Sequence, residues 1–142
     1  LKGGAGNDNL IGGGGTDTVD YSDASENLIV NITDGSHFIS TSQGTDTFSS
    51  IEGVIGGTGD DTLTGNSGAN TLIGNAGNDT LSGGAGIDYL DGVANTTVGD
   101  SVDFSSESGK LDLNLRAIVT DGYAQAQLEN NPDDWSIVLF LR

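Results

Sequence analysis

The stretch from Gly56 to Asp91 reads GGTGDDTLT, GNSGANTLI, GNAGNDTLS and GGAGIDYLD, four nine-residue units with nothing between them. Two more stand near the start, GGAGNDNLI from Gly3 to Ile11 and GGGGTDTVD from Gly12 to Asp20. A fixed period decides architecture before local propensity does, because each unit repeats one backbone excursion and buries its apolar side chain only against its neighbours. The consensus is GGxGxDxUx, where U is a large apolar residue: Leu10, Val19, Leu63, Leu72, Leu81 or Leu90.

Glycine at positions one, two and four lets the loop turn its own carbonyl oxygens inward without side chains in the way. Position six closes the loop with a short carboxylate, Asp8, Asp17, Asp61, Asp79 or Asp88, and with Asn70 in one unit. Hard oxygen donors of this kind suit calcium, which takes six to eight of them in tolerant geometry. Position eight is apolar between mostly polar neighbours, so a three-residue strand points one side chain inward and two outward. A chain that makes a loop and a short strand every nine residues winds as a two-sided coil with two units per turn. Loops two units apart then stack at the ~4.8 Å spacing of paired strands, close enough to share one ion.

The motif closely resembles the calcium-binding nonapeptide repeat of the RTX family of secreted bacterial proteins. That resemblance implies an all-β fold, a right-handed parallel β-roll or β-helix solenoid with calcium between stacked glycine-rich loops. Carried over by position, it pairs Asp61 with Asp79 on one edge and Asn70 with Asp88, a weaker pair, on the other. Carbonyls of Gly56, Thr58, Asn75 and Gly77 complete the first set. Asp8 and Asp17 occupy the same motif position, but the units that would stack beside them are degenerate or lie before Leu1.

Composition points the same way. The net charge is −17, with 21 acidic against 4 basic residues. This excess argues against nucleic acid or an anionic membrane as partner and makes the compact state repel itself unless cations neutralise the loops. Leu, Ile, Val and Phe are scarce enough that calcium is expected to be needed for folding. There is no Cys, hence no disulfide and no thiolate chemistry. No apolar run is long enough for a membrane span and no amino-terminal signal peptide is present; the start at Leu1, directly before a repeat, reads as a fragment boundary. Weak calcium modules belong to the millimolar calcium outside cells, so a secreted or cell-surface location is expected.

Four regions follow: the opening nonapeptides over 1–20, an irregular calcium-poor excursion of the solenoid over 21–55, the main block over 56–99, and 100–142. In the excursion the glycine loops disappear, and strands are expected at Leu28 to Ile32, His37 to Ser40 and Thr47 to Ser50, with Ile51 to Ile55 leading back into register. A longer repeat overlies the short one. DTVDYSDASENLIVNI from Asp17 aligns without gaps on DSVDFSSESGKLDLNL from Asp100, so Tyr21 pairs with Phe104 and Asn31 with Asn114; Asp121 and Gly122 correspond to Asp34 and Gly35 after a four-residue insertion. Long surface and adhesive proteins are built by such duplication. The stretch from Gly92 to Gly99 lacks the glycine pattern, so the calcium stack is expected to stop beside Asp79. The tail from Ile137 to Leu141 reads as a final strand or cap, a carboxy-terminal export signal, or the start of another domain.

No catalytic constellation emerges. His37 is the only histidine, no HExxH or GxSxG motif exists, and Asp103 and Asp112 have no evident acid or base partner. The adjacent Asp60 and Asp61 are positions five and six of one repeat. The reading is therefore a non-catalytic calcium-binding β-roll of a large secreted or cell-surface protein, neighboured by further repeats, and the family resemblance implies export in the unfolded state before folding on calcium. The alternatives are an accessory domain of an RTX enzyme (protease, lipase, peroxidase or alginate epimerase) or a glycan-binding adhesive module, for which Tyr21, Tyr89, Tyr123 and Trp135 are candidate stacking residues.

Overall fold

The computed structural model describes residues 1–33, 38–39, 44–92, 101–103, 124–131 and 134–141. His37, the Asp34–Gly35 pair, residues 93–99 and residues 104–123, including Asp112 and Tyr123, lie outside them. The described chain is all strand. Six nonapeptides give six three-residue strands: β1 (Asn9–Ile11), β2 (Thr18–Asp20), β7 (Thr62–Thr64), β8 (Thr71–Ile73), β9 (Thr80–Ser82) and β10 (Tyr89–Asp91). The irregular segment supplies β3 (Ile29–Asn31), β4 (Phe38–Ile39), β5 (Thr47–Ser49) and β6 (Gly53–Ile55). Beyond the main block come β11 (Ser101–Asp103), β12 (Ala124–Asn131) and β13 (Asp134–Leu141).

Successive strands of the main block alternate between two parallel sheets, ordered β10-β8-β6-β2 and β11-β9-β7-β3-β4. Position eight marks the register. Val19 faces Val54, which faces Leu72, which faces Leu90; across the coil Val30 faces Leu63, Leu63 faces Leu81 and Leu81 faces Val102. Val19, Val30, Val54, Leu63, Leu72 and Leu81 are each 0% exposed, so the core is a double file of single side chains. Each contributes on the order of 1.5–3 kcal/mol of apolar burial. The outward neighbours are mostly polar, with Ile11, Ile29 and Tyr89 as exposed exceptions, and Thr62, Thr80 and Ser101 stand in one exposed row, with Ser101 Oγ donating to Thr80 Oγ1 at 3.2 Å. This is a parallel β-roll, as expected.

The irregular segment is built into the ladder rather than looped out of it. Strand β6 pairs with β2 on one side and β8 on the other, β7 pairs with β3, and β1 pairs with β5 through Leu10 opposite Phe48. The two nonapeptide blocks are thus joined through strands of residues 29–55. One expectation fails here: the glycine loops do not disappear after Asp20. Gly44 to Ser49, GTDTFS, folds as the second half of a nonapeptide, with Gly44 at φ 101°, over Gly6, and Phe48 turned into the core. The reason is that positions four, six and eight suffice to make the turn, the stack and the burial.

Two pairings are antiparallel, β3 with β4 and β12 with β13. The apolar run from Ile137 to Leu141 lies within β13, which pairs with β12 rather than with a rung of the roll. Past the main block, Ser101 N–H donates to Asp79 C=O at 2.8 Å, so the strand ladder continues beside Asp79 and does not end there. The aligned strands of the longer repeat, β2 and β11, lie on opposite sheets.

Candidate calcium-binding edges

Each strand is short, so every loop is brought back to one of two edges, where position-six side chains stack. The backbone N–H of one position-six residue donates to the side chain of the next layer: Asp61 to Asp79 Oδ1 at 2.9 Å, Asn70 to Asp88 Oδ1 at 2.8 Å and Asp8 to Asp46 Oδ1 at 2.9 Å. Asp17 N–H donates likewise to Glu52 Oε2 at 2.9 Å and Leu28 N–H to Asp61 Oδ1 at 2.9 Å. Position five stacks beside it, Asp60 N–H donating to Asn27 Oδ1 at 2.9 Å and Asn78 N–H to Asp60 Oδ1 at 2.8 Å. The sequence-assigned pairs, Asp61 with Asp79 and Asn70 with Asp88, therefore sit in adjacent layers. Asp8 and Asp17 also have stacked partners, Asp46 and Glu52, from the irregular segment.

The loops adopt two conformations. In those opening at Gly3, Gly12, Gly74 and Gly83, positions two and four are left-handed: Gly4 and Gly6 at 88° and 123°, Gly13 and Gly15 at 93° and 115°, Asn75 and Gly77 at 72° and 128°, Gly84 and Gly86 at 92° and 129°. In the loops opening at Gly56 and Gly65 they are not. There the position-two N–H turns onto the loop's own position-six side chain: Gly57 N–H donates to Asp61 Oδ2 at 2.7 Å and Asn66 N–H to Asn70 Oδ1 at 2.8 Å. Where position two is left-handed, the Oδ2 atoms of Asp8, Asp17 and Asp88 are buried with no hydrogen-bond partner. A buried carboxylate oxygen without a donor is costly unless a cation or proton reaches it.

Burial raises the Asp61 carboxyl above the ordinary carboxylate value, a desolvation effect only partly offset by the Gly57 and Leu28 N–H donors and reinforced by Asp60. Asp61 and Asp79 are each 1% exposed and Asn70 2%. Position-one glycines make room for these side chains. A Cβ on Gly56, Gly74 or Gly83 would overlap the Oδ2 of Asp61, Asp79 or Asp88 respectively.

Of the carbonyls assigned from sequence, that of Gly56 accepts Asn75 Nδ2 at 2.7 Å, so Asn75 meets this site through its carboxamide. Gly77 lies over Gly59, and Thr58 N–H donates to Ala24 C=O at 3.0 Å, which puts both in the stacked edge. Among the described residues no three His, Asp or Glu side chains converge on one point. The donors come instead as pairs from stacked loops with backbone oxygens around them, a hard-oxygen set that fits calcium and offers nothing to soft metals.

Sequence reasoning missed Asp46 and Glu52 as position-six residues. The signal was present: GTDT recurs at 15–18 and 44–47, and Glu52 stands nine residues before Asp61. A search for the full nonapeptide passes over both, because the first half of each unit is lost.

The RTX calcium-binding nonapeptide repeat model matches residues 1–23 and 55–90, in four copies. RTX nonapeptide repeats bind calcium ions. No curated protein matches the chain.

Proposed function

The repeat stretches of this chain belong to the RTX calcium-binding nonapeptide family, and from that premise we propose that the chain is a non-catalytic roll of a larger secreted or cell-surface protein, exported unfolded and folded by calcium outside the cell. The observation that carries this reading is the set of buried, donorless carboxylate oxygens on Asp8, Asp17 and Asp88. At net charge −17 the free loops repel one another. Ions that bind only the folded stack shift the equilibrium towards it.

Asp61 with Asp79 and Asn70 with Asp88 hold ions between layers, with loop carbonyls including those of Thr58 and Gly77; Asp17 with Glu52 forms a further pair. When bound, calcium supplies positive charge to carboxylates that the coil has already taken out of water. The chain's own part is to order the carboxylates by the N–H ladder, to exclude water through the double file of apolar side chains, and to keep Cβ atoms away at position one.

The test is a calcium titration of metal-free protein followed by far-ultraviolet circular dichroism, with magnesium as control. A cooperative gain of β signal with calcium alone is expected. Unchanged β signal and unchanged thermal midpoint after chelation would refute the proposal and leave the carboxylates as turn residues.

A further inference from the structure

At one position-six carboxylate a side chain, not a loop amide, serves the second oxygen. Asp46 is 0% exposed, and both its oxygens are taken by protein donors: Oδ1 by Asp8 N–H at 2.9 Å and Oδ2 by the hydroxyl of Tyr21 at 2.7 Å. Tyr21 is 4% exposed, with its ring in the apolar core. It directly follows β2, the place where the next nonapeptide would put its position-one glycine, and its N–H donates to Ile55 C=O at 2.9 Å, which fixes the backbone from which the ring crosses to Asp46. Burial first, and then the Asp46 carboxylate and the nearby Asp8, hold the phenol protonated and therefore a donor.

We infer that Tyr21 replaces calcium at the Asp46 carboxylate, so that the layer of Gly44 to Ser49 closes without an ion of its own and joins the two nonapeptide blocks as a metal-independent seam. This rests on the calcium-binding reading above and assigns one layer an internal substitute for the ion. Elsewhere on the edges the second oxygen is served by the loop's own amide, as in Asp61, or is buried without a donor, as in Asp17 and Asp88. At Asp46, unlike Asp61, Asp17 and Asp88, a side chain distant in sequence reaches in to supply the hydrogen bond, and a hydrogen bond to a charged acceptor is among the stronger ones. The coil gains a layer that forms as soon as Tyr21 docks, next to layers that wait for calcium. The second copy of the longer repeat carries Phe104 at the aligned position, so the same ring without the hydroxyl is a natural comparison.

The experiment counts calcium ions bound per full chain by equilibrium dialysis at saturating calcium, for the unmodified protein and for Asp46→Asn, Asp88→Asn and Tyr21→Phe. Asp88→Asn is expected to lose an ion and Asp46→Asn none. Tyr21→Phe, which leaves a buried oxygen without its donor, is expected to weaken the folding equilibrium about tenfold, the scale of one hydrogen bond to a charged group, and so to raise the calcium concentration needed for folding. Loss of one ion from Asp46→Asn would overturn the inference by making Asp46 a calcium ligand, as would an unshifted midpoint in Tyr21→Phe. Should Asp46→Asn fail to fold, hydrogen exchange on the unmodified chain decides. The Asp8 amide, bonded to Asp46, keeps protection in calcium-free protein where the Asn70 amide, bonded to Asp88, has lost it; equal loss overturns the inference. No ions on the unmodified chain would refute the calcium reading itself, a different result from a one-ion loss confined to Asp46→Asn.

Discussion

The loops at Gly65 and Gly74 carry the same residue, Asn, at position two, yet fold in opposite ways. Asn66 keeps an ordinary backbone and points its N–H at the side chain of Asn70; Asn75 is left-handed at φ 72° and sends its carboxamide to Gly56 C=O. The first loop satisfies its own position-six group from within. The second belongs to the class whose left-handed position two leaves the buried oxygens of Asp8, Asp17 and Asp88 without a donor. One sequence motif thus has a self-capped state and an open state, and the difference lies in the backbone at positions two and four. In the open state, we propose, calcium takes the place of the missing amide.

The largest effect that would break this comparison comes from crowding the carboxylate. Gly83→Ala puts a Cβ into the space of Asp88 Oδ2 and Cγ, and is expected to cost about 1–3 kcal/mol of the calcium-loaded stability. Gly14→Ala, at position three with nothing within 4 Å of the added carbon, is the control and should lie within about 0.5 kcal/mol of the unmodified chain. Thermal or denaturant unfolding of the two variants in calcium measures the gap. Equal stability would mean that the carboxylate does not need the room that position one leaves.

The next effect separates the two states by charge. Asp88→Asn removes an open-loop carboxylate and should weaken calcium-induced folding about tenfold or more. Asp61→Asn removes a charge that burial already disfavours but also one of the two oxygens that accept the Leu28 and Gly57 N–H groups, so it should change the metal-free fold less than it weakens calcium binding. Calcium titrations with thermal melts in chelator read both. The same asymmetry appears in pH. The folded Asp61 carboxyl is raised above its unfolded value, so its buried charge destabilises the native state at neutral pH. That penalty is relieved as pH falls through the raised value. Metal-free protein is expected to gain stability on mild acidification from neutral, whereas calcium-loaded protein loses it because protons compete for the same oxygens. Parallel loss in both would show that Asp61 is not a buried charge.

Much of the roll was legible because the period does the work. A nine-residue repeat with one apolar position fixes strand, inward side chain and stacking partner together, and Leu63, Leu72 and Leu81 stand where the period puts them. Asp46 and Glu52 were harder to see, since their units keep only the second half of the motif, which is enough to fold but not to be noticed. The Tyr21–Asp46 bond joins residues that no local pattern relates. The two loop states were not legible at all: glycine admits both, and Asn66 and Asn75 are the same residue. What differs between them is the stack on either side, which local sequence does not carry. The loop at Gly56 packs onto Ala24 and Glu26, and the loop at Gly74 packs onto Gly59.

The smallest expected effect sharpens that last point. Asn75→Gly relieves a left-handed non-glycine residue, a gain of under about 1 kcal/mol because asparagine tolerates that region better than most. It also removes the 2.7 Å hydrogen bond to Gly56 C=O, a loss of about 1 kcal/mol. The two nearly cancel, so Asn75→Gly should unfold within about 0.5 kcal/mol of the unmodified chain. Asn75→Ala keeps the strain and loses the bond, and should be destabilised by about 1–2 kcal/mol. If instead both variants were equally destabilised, the carboxamide bond alone would hold the open loop in place. Left-handed backbone at position two would then be a consequence of that bond and not of the stack. Freed of its carboxamide, the loop at Gly74 would adopt the self-capped form of its neighbour at Gly65, and amide exchange at position 75 would be slower in both variants than in the unmodified chain.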